Sequence, residues 1–282
     1  MIAFLGTGLL GTGFVRAALQ RGESVSVWNR TIAKAQALAA DGARVAQTPA
    51  EAVRGASRVH LVLLDDAAVD DVIERLLPGL EPGAVILDHS TTAPRSTAER
   101  ARRMAERGID FLHVPVFMGP PQAATAKGLM LAAGPKALFE RVQPELAKMT
   151  ERIRYFGERP DLAAANKLFG NMLIMFVASG LADVFALARS LDIAPTDAYT
   201  IFNDFNPSAQ VTGRGKRMAE GDFKASFELV AARKDVRLML ETAEAGGVPL
   251  HVVPAIAARF DQVIAAGYGA DDLSSIAAVD VA

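Results

Sequence analysis

The chain has 282 residues, 51% of them hydrophobic and 22% charged, enough apolar material for about two packed domains and too much for a disordered polymer. Thirty basic residues face 32 acidic ones, a formal charge of −2 with no run of one sign at either end, so nothing marks the chain for nucleic acid or for an anionic membrane surface. It has no cysteine, which excludes disulfide frameworks, thiolate zinc sites, iron–sulfur clusters and cysteine nucleophiles. Its four histidines, His60, His89, His113 and His251, are scattered along the sequence without metal-ligand spacing, so no metal site is expected.

The uncharged opening, Met1 to Val15, lacks the basic start of an export signal, and its four glycines serve another purpose. Strand-length apolar bursts follow at Ile2 to Leu5, Ser24 to Trp28, Val59 to Leu64 and Val85 to Asp88. Between them Leu10 to Gln20, Thr31 to Ala40, Val69 to Leu77 and Arg95 to Arg107 have helical length and spacing. Continuous apolar strands separated by helices indicate a parallel sheet covered on both faces, the doubly wound α/β class. One more strand-like run, Leu129 to Ala133, ends at Gly134-Pro135 and leads into a helical pattern reaching Met149.

The character changes near Gly157 to Asp161. Leu162 to Leu191 is helical and apolar nearly all round, so most of that helix is expected to be buried. Its uncharged stretch, Leu168 to Ala182, is interrupted by Asn171, Ser179 and two glycines and bounded by Lys167 and Asp183, short of the roughly 18 apolar residues of a spanning helix. Helical patterns continue to about residue 268. A Rossmann-type domain over 1–160, an all-helical domain over 161–282 and a soluble, cytoplasmic chain that stays off membranes are the resulting expectations.

Gly6-Thr7-Gly8-Leu9-Leu10-Gly11 is a G-x-G-x-x-G that follows the first strand and opens the first helix. Gly6 permits the tight turn, Gly8 lets the backbone approach a pyrophosphate, and Gly11 allows close helix–strand packing. The helix N-terminus then presents unpaired N–H groups and the positive end of its dipole to the phosphates. The second strand ends Asn29-Arg30-Thr31, where an NAD-specific domain usually carries Asp or Glu for the ribose 2′-hydroxyl. Neutral Asn29, an Arg30 able to pair bidentately with a 2′-phosphate and the Thr31 hydroxyl favour NADP(H) over NAD(H), without excluding use of NAD(H).

In order, the glycine loop, Asn29-Arg30-Thr31, Asp88-His89-Ser90-Thr91, the loop Pro115 to Gly128, Asn166-Lys167-Leu168 with Asn171, and Lys234-Asp235 resemble the β-hydroxyacid dehydrogenases, the family of 3-hydroxyisobutyrate dehydrogenase. The resemblance spans nearly the whole chain. It implies a dinucleotide domain, a helical domain, a cleft between them and oxidoreduction of a small hydroxyacid. It further implies cofactor contacts at Leu64 and Thr91, and Lys234 near the nicotinamide side. Lys167 and Asn171 are four residues apart, on one face of an otherwise apolar helix. Burial there would lower the lysine pKa toward working pH, as proton transfer requires. With the resemblance, Lys167 is expected as general acid/base and Asn171 as the residue orienting the substrate or the lysine.

The loop departs from the family pattern Asp-x-Pro-Val-Ser-Gly-Gly. Here it reads His113-Val114-Pro115-Val116-Phe117-Met118-Gly119, with Phe117 in place of the serine and Met118 in place of a glycine. Phe117, Met118 and Gly119 are expected on the substrate side, with the backbone donors kept and a substrate less polar than a small hydroxyacid. An imine reductase, a relative with a more apolar pocket, and a cofactor-binding module without catalysis are the rivals. The excess apolar helical surface of the second half leads to the expectation of a homodimer.

Overall fold

Short apolar runs alternating with helices build, in the computed structural model, which describes residues 1–280, a parallel sheet followed by an array of helices. The sheet arises from β1 (Ile2–Leu5), α1 (Leu9–Gln20), β2 (Val25–Trp28), α2 (Ile32–Gln36), β3 (Arg44–Val45), α3 (Pro49–Val53), β4 (Arg58–Leu61), α4 (Asp66–Leu76), β5 (Val85–Asp88), α5 (Pro94–Glu106) and β6 (Asp110–His113). Its strand order is β3-β2-β1-β4-β5-β6 with every pairing parallel. That order reverses direction between β1 and β4, the switch point beside which such sheets bind dinucleotides.

Alternate residues of the strands feed two separate cores, as a period of two dictates. Ile2, Phe4, Val25, Val27, Val85 and Leu87 pack with Phe14, Val15 and Ala18 of α1 on one face. On the other, Ala3, Leu5, Val59, Leu61 and Ile86 pack with Ala52 and Val53 of α3 and Val69, Val72, Ile73 and Leu76 of α4. Both faces are covered, which explains the unbroken apolar run of β1 and the full burial of β2.

A second sheet, β7-β8-β9, joins β7 (Val116–Phe117), β8 (Leu129–Ala132) and β9 (Arg152–Tyr155), with β7 antiparallel and β9 parallel to β8. Between its strands lie α6 (Pro120–Ala124) and α7 (Lys136–Leu146). The Leu129 run therefore forms a strand of this small sheet, outside the parallel one. β3, β6 and β9 carry no apolar burst: β3 is two residues long, β6 begins at Asp110 and ends at His113, and β9 alternates Arg152 and Arg154 with half-buried Ile153 and Tyr155.

The long helix α8 (Leu162–Ser190) comes next, followed by α9 (Pro195–Tyr199), α10 (Ala209–Glu220), α11 (Leu229–Ala245) and α12 (Val253–Val263). Two compact units result, Met1–Asn171 and Met172–Ala282, so the division falls inside α8, beyond the boundary at 160 drawn from composition. The reason is local packing: Ala163 and Ala164 at the start of α8 are fully buried, and Ala163 packs with Leu131 and Ala133 of the small sheet.

In the second unit α11 and α12 share a small core of Leu229, Val236, Phe260 and Val263. Two buried carboxylates tie its backbone: Asp183 accepts the N–H groups of His251, Val252 and Val253, and Asp272 accepts those of Ser226, Phe227 and Ser274. The expected burial of α8 is not met within one chain. Every side chain from Met172 to Val177 is at least 44% exposed, because the packing partners of α8 within the chain lie at its ends. At 29 residues α8 is longer than its uncharged stretch Leu168 to Ala182, and among the described residues it is the helix long and apolar enough to cross a membrane by length and composition.

Candidate active site

At the C-terminal end of β1 the chain must turn sharply into α1. Gly6 makes the turn at a φ of +103°, and a Cβ there would lie 2.1 Å from the Val62 carbonyl oxygen. Gly11 lies so close to this turn that a Cβ would meet the Gly6 carbonyl oxygen at 2.0 Å. Gly8 is different: a Cβ would touch nothing within 4 Å, so protein packing does not require glycine there, whereas a ligand's close approach does. Gly8 also precedes the first turn of α1 without any side-chain cap, leaving that turn's N–H groups for an anion. The Thr7 hydroxyl is buried beside them without a hydrogen-bond partner.

Around this turn lies a cavity of about 470 Å³. Gly6, Gly8, Leu9, Leu10 and Gly11 line it, as do Asn29, Arg30, Thr31, Leu64 and Thr91. Leu9 and Leu64 stand beside it largely exposed, at 82% and 80%. An open, uncapped helix start, an orphan hydroxyl, apolar walls and a cationic end fit a dinucleotide. Bound, that group supplies the hydride chemistry.

One sequence reading changes in detail. Asn29 uses both ends of its amide within the protein: its Oδ1 accepts the Thr7 N–H at 3.0 Å and its Nδ2 donates to the Thr31 carbonyl at 2.9 Å. Asn29 therefore braces the glycine turn against the end of β2, and Arg30 and Thr31 stand beside it on the cavity wall. Sequence reasoning also missed Lys34 and Arg75, both on the cavity wall. Lys34 lies in the first turns of α2, the helix directly after Arg30 and Thr31. Arg75 comes from α4, its guanidinium 5.2 Å from the Trp28 ring centroid and 3.1 Å from Asp71; nothing local in sequence points to it.

The histidines scattered in sequence converge in space beneath the cavity. His60, His89 and His113 sit on or just after β4, β5 and β6, all buried with Asp88. His89 Nδ1 lies 2.9 Å from the Val114 carbonyl oxygen, and His89 Nε2 lies 2.9 Å from His60 Nδ1. A carbonyl only accepts, so His89 carries its proton on Nδ1 and its Nε2 accepts from a protonated His60 Nδ1. Burial pushes His60 well below its ordinary pKa and His89 down to about 4. Burial raises the Asp88 carboxyl, but His113 and Ser90 outweigh it and hold the group below its usual value. Among the described residues, no group of three such side chains is arranged to hold a metal ion.

Lys167 and Asn171 share a face near the start of α8, one turn apart and half-buried. The Lys167 Nζ lies 4.0 Å from the centroid of the Phe117 ring, and burial lowers its pKa to about 8. The neighbouring Asn166 amide donates to the Leu162 carbonyl at 2.8 Å and serves the helix start.

Phe117 and Met118, expected to stand on the substrate side, are half-buried. Phe117 lies on the cluster of Leu131, Ala133 and Ala163, and Met118 lies against the first core. The Gly119 N–H, expected to remain a free donor, is bound by the Gln122 side chain as part of the cap of α6. Lys234 belongs to the second unit, on α11, with its Nζ 2.9 Å from Asp235.

A glycine turn at the switch point of a parallel sheet, with cations at the adjacent strand end, gives the first unit the form of a dinucleotide-binding domain. The family model for the NAD binding domain of 6-phosphogluconate dehydrogenase matches residues 1–157, and that for the NAD-binding domain of NADP-dependent 3-hydroxyisobutyrate dehydrogenase matches 162–279. The chain belongs to this 3-hydroxyisobutyrate dehydrogenase-like family of NAD(P)-dependent oxidoreductases.

Its sequence is 29% identical over 279 residues to the uncharacterized oxidoreductase YfjR of Bacillus subtilis, covering 98% of each chain. It is 27% identical to 2-(hydroxymethyl)glutarate dehydrogenase of Eubacterium barkeri, covering 98% of this chain and 93% of that one. It is also 28% identical to the human cytokine-like nuclear factor N-PAC, where 98% of this chain spans only 50% of the relative. Among solved structures, an imine reductase from Myxococcus stipitatus in complex with NADP+ superposes with a TM-score of 0.91 at 23% identity, covering 98% of both chains. A Streptomyces aurantiacus imine reductase gives 0.90 at 27% identity, covering 99% of both.

Proposed function

We propose that this protein is an NADP(H)-preferring reductase of a small, weakly polar carbonyl compound, with Lys167 delivering the proton. The observation that carries the reading is Lys167 itself, half-buried on α8, one turn from Asn171, with a pKa lowered to about 8 by burial. A lysine so tuned is protonated in a useful fraction near neutral pH and exchanges its proton readily. A bound nicotinamide would supply the hydride to the carbonyl carbon, and the role of Lys167 is to hold at Nζ the proton that the carbonyl oxygen takes up to complete the alcohol. Asn171 orients the substrate or the lysine. Without the serine hydroxyl, and with the Gly119 N–H held by Gln122, this loop offers less to a carboxylate than the family pattern does, which favours a substrate less charged than hydroxyisobutyrate.

The same two features favour a second reading, reduction of an imine. Such a substrate, protonated in solution, needs no donor from the protein, so Lys167 separates the two. Steady-state NADPH oxidation with semialdehydes, ketones and cyclic imines tests both: turnover of carbonyl compounds that falls on loss of Lys167 supports the first, and turnover of imines alone supports the second. No turnover with any of them would leave a cofactor-binding module without catalysis.

The preference for NADP(H) rests on Arg30, with Lys34 close by on the same wall and no carboxylate at position 29. Arg30→Ala is expected to weaken NADPH by about 1.5–3 kcal/mol, the worth of a charge-assisted phosphate contact, and to leave NADH nearly unchanged. Fluorescence titration of both cofactors measures it; equal affinity of the unaltered protein for the two would contradict the preference.

The exposed apolar stretch Met172–Val177 supports a homodimer in which α8 of each copy finds cover. Light scattering at micromolar concentration should give twice the 29.8 kDa chain mass; a monomeric mass would remove the dimer. A water-soluble, cytoplasmic dimer acting on a small molecule, without nucleic acid or membrane, completes the proposal.

A further inference from the structure

We propose that Phe117 is a positioning residue for Lys167, its ring being the platform on which the ammonium rests, and that Gly170 is the gap in α8 that admits the ring. This rests on the proton-transfer role of Lys167 proposed above. Three observations meet here. The Lys167 Nζ lies 4.0 Å from the ring centroid, inside the range in which a cation is drawn to an aromatic face. A Cβ on Gly170, one turn beyond Lys167, would lie 2.3 Å from Phe117 Cζ and 2.8 Å from Cε1, so any other residue at 170 would displace the ring. The ring is in turn packed against Leu131, Ala133 and Ala163, which makes it a fixed support.

Lysine has a flexible four-carbon stem that needs a contact to hold its tip. Burial is the cause that lowers the Lys167 pKa; of the charged groups on adjoining segments, Arg154 lies 4.8 Å from the Phe156 ring centroid and Asp161 is 2.6 Å from Arg159. Two effects therefore act on the ammonium in opposite directions. Burial disfavours it, and the ring face favours it. Exchanging the ring for an aliphatic side chain removes the second and keeps most of the first, so the lysine pKa falls further, by roughly half a unit to one unit.

The test uses the full-length protein labelled with ¹³C at lysine Cε, with Lys167→Met to assign the signal and thermal unfolding to confirm the fold of each variant. In the unaltered protein the Lys167 ε-methylene protons should be shifted upfield by the ring and titrate near pH 8. Phe117→Leu should abolish the upfield shift and lower the midpoint. Phe117→Tyr, which keeps a ring, should retain both, and Gly170→Ala should lose the upfield shift although Phe117 is untouched. In turnover, Phe117→Leu should reduce kcat more than it raises KM, yet have no further effect once Lys167 is methionine, as expected of two residues acting as one unit. An unshifted signal in the unaltered protein, or a shift that survives Phe117→Leu or Gly170→Ala, overturns the platform. If Lys167→Met keeps its turnover, the proton-transfer reading fails instead, and the same spectra still decide whether the ring holds the lysine.

Discussion

Replacing Lys167 by alanine is expected to lower kcat for carbonyl reduction by about two to four orders of magnitude, the range of a positioned proton donor. The effect should appear in kcat and kcat/KM alike, because an interaction made as charge develops on oxygen contributes little to the ground state. NADPH affinity should hardly move: the cavity that fits the dinucleotide is walled by the glycine turn, Arg30, Thr31, Lys34 and Leu64, and Lys167 is not on that wall. Parallel loss of cofactor binding and turnover would mean that the substitution disturbs the first unit as a whole. A variant retaining most of its turnover would show that another group, or the substrate itself, provides the proton.

The second large effect concerns acid. His60 and His89 are held neutral by burial, His89 down to about 4. Both folded values lie below the ordinary value of about 6.5, so the unfolded chain binds protons first as pH falls. Their contribution is complete above pH 6.5 and is lost as pH drops through the window from 6.5 to about 4. One group moved that far accounts for about 2–3 kcal/mol by pH 4.5, and His60 adds in the same sense. Asp88, held below its usual value, loses its own contribution only at still lower pH. Trp28, the single tryptophan, lies buried in β2 and reports on the first unit alone. Urea unfolding followed at Trp28 should show stability falling between pH 7 and 4.5. The double change His60→Phe with His89→Leu should flatten that fall. An equal fall in the variant would place the acid sensitivity in other groups.

The sheet, the glycine turn and the helical second half were legible because each is written locally, as apolar runs of strand length, fixed glycine spacing and helical periodicity. What was not legible depends on partners distant in sequence. His60, His89 and His113 lie 29 and 24 positions apart and meet only because β4, β5 and β6 are neighbours in register. β6 escaped notice because Asp110 and His113 give it a polar outline, although His113 is buried beside Asp88. Asn29 and Arg30 both stand on the cavity wall, yet the bracing role of Asn29 shows only in its 3.0 Å bond to Thr7. Lys167 is a candidate by residue type and resemblance alone. That its neighbour is the unusual Phe117, and that Gly170 makes room for that ring, follows only from packing between β7 and α8.

Lys167 as the proposed proton donor is tested most directly by single-turnover oxidation of bound NADPH by a carbonyl substrate as a function of pH. Reduction requires the ammonium form, so the rate should be highest below the lysine pKa and fall above it, with a midpoint near the value of about 8 set by burial. In Lys167→Ala the rate should be lower throughout and lack that falling limb. The same rate and the same limb in both proteins would contradict the assignment.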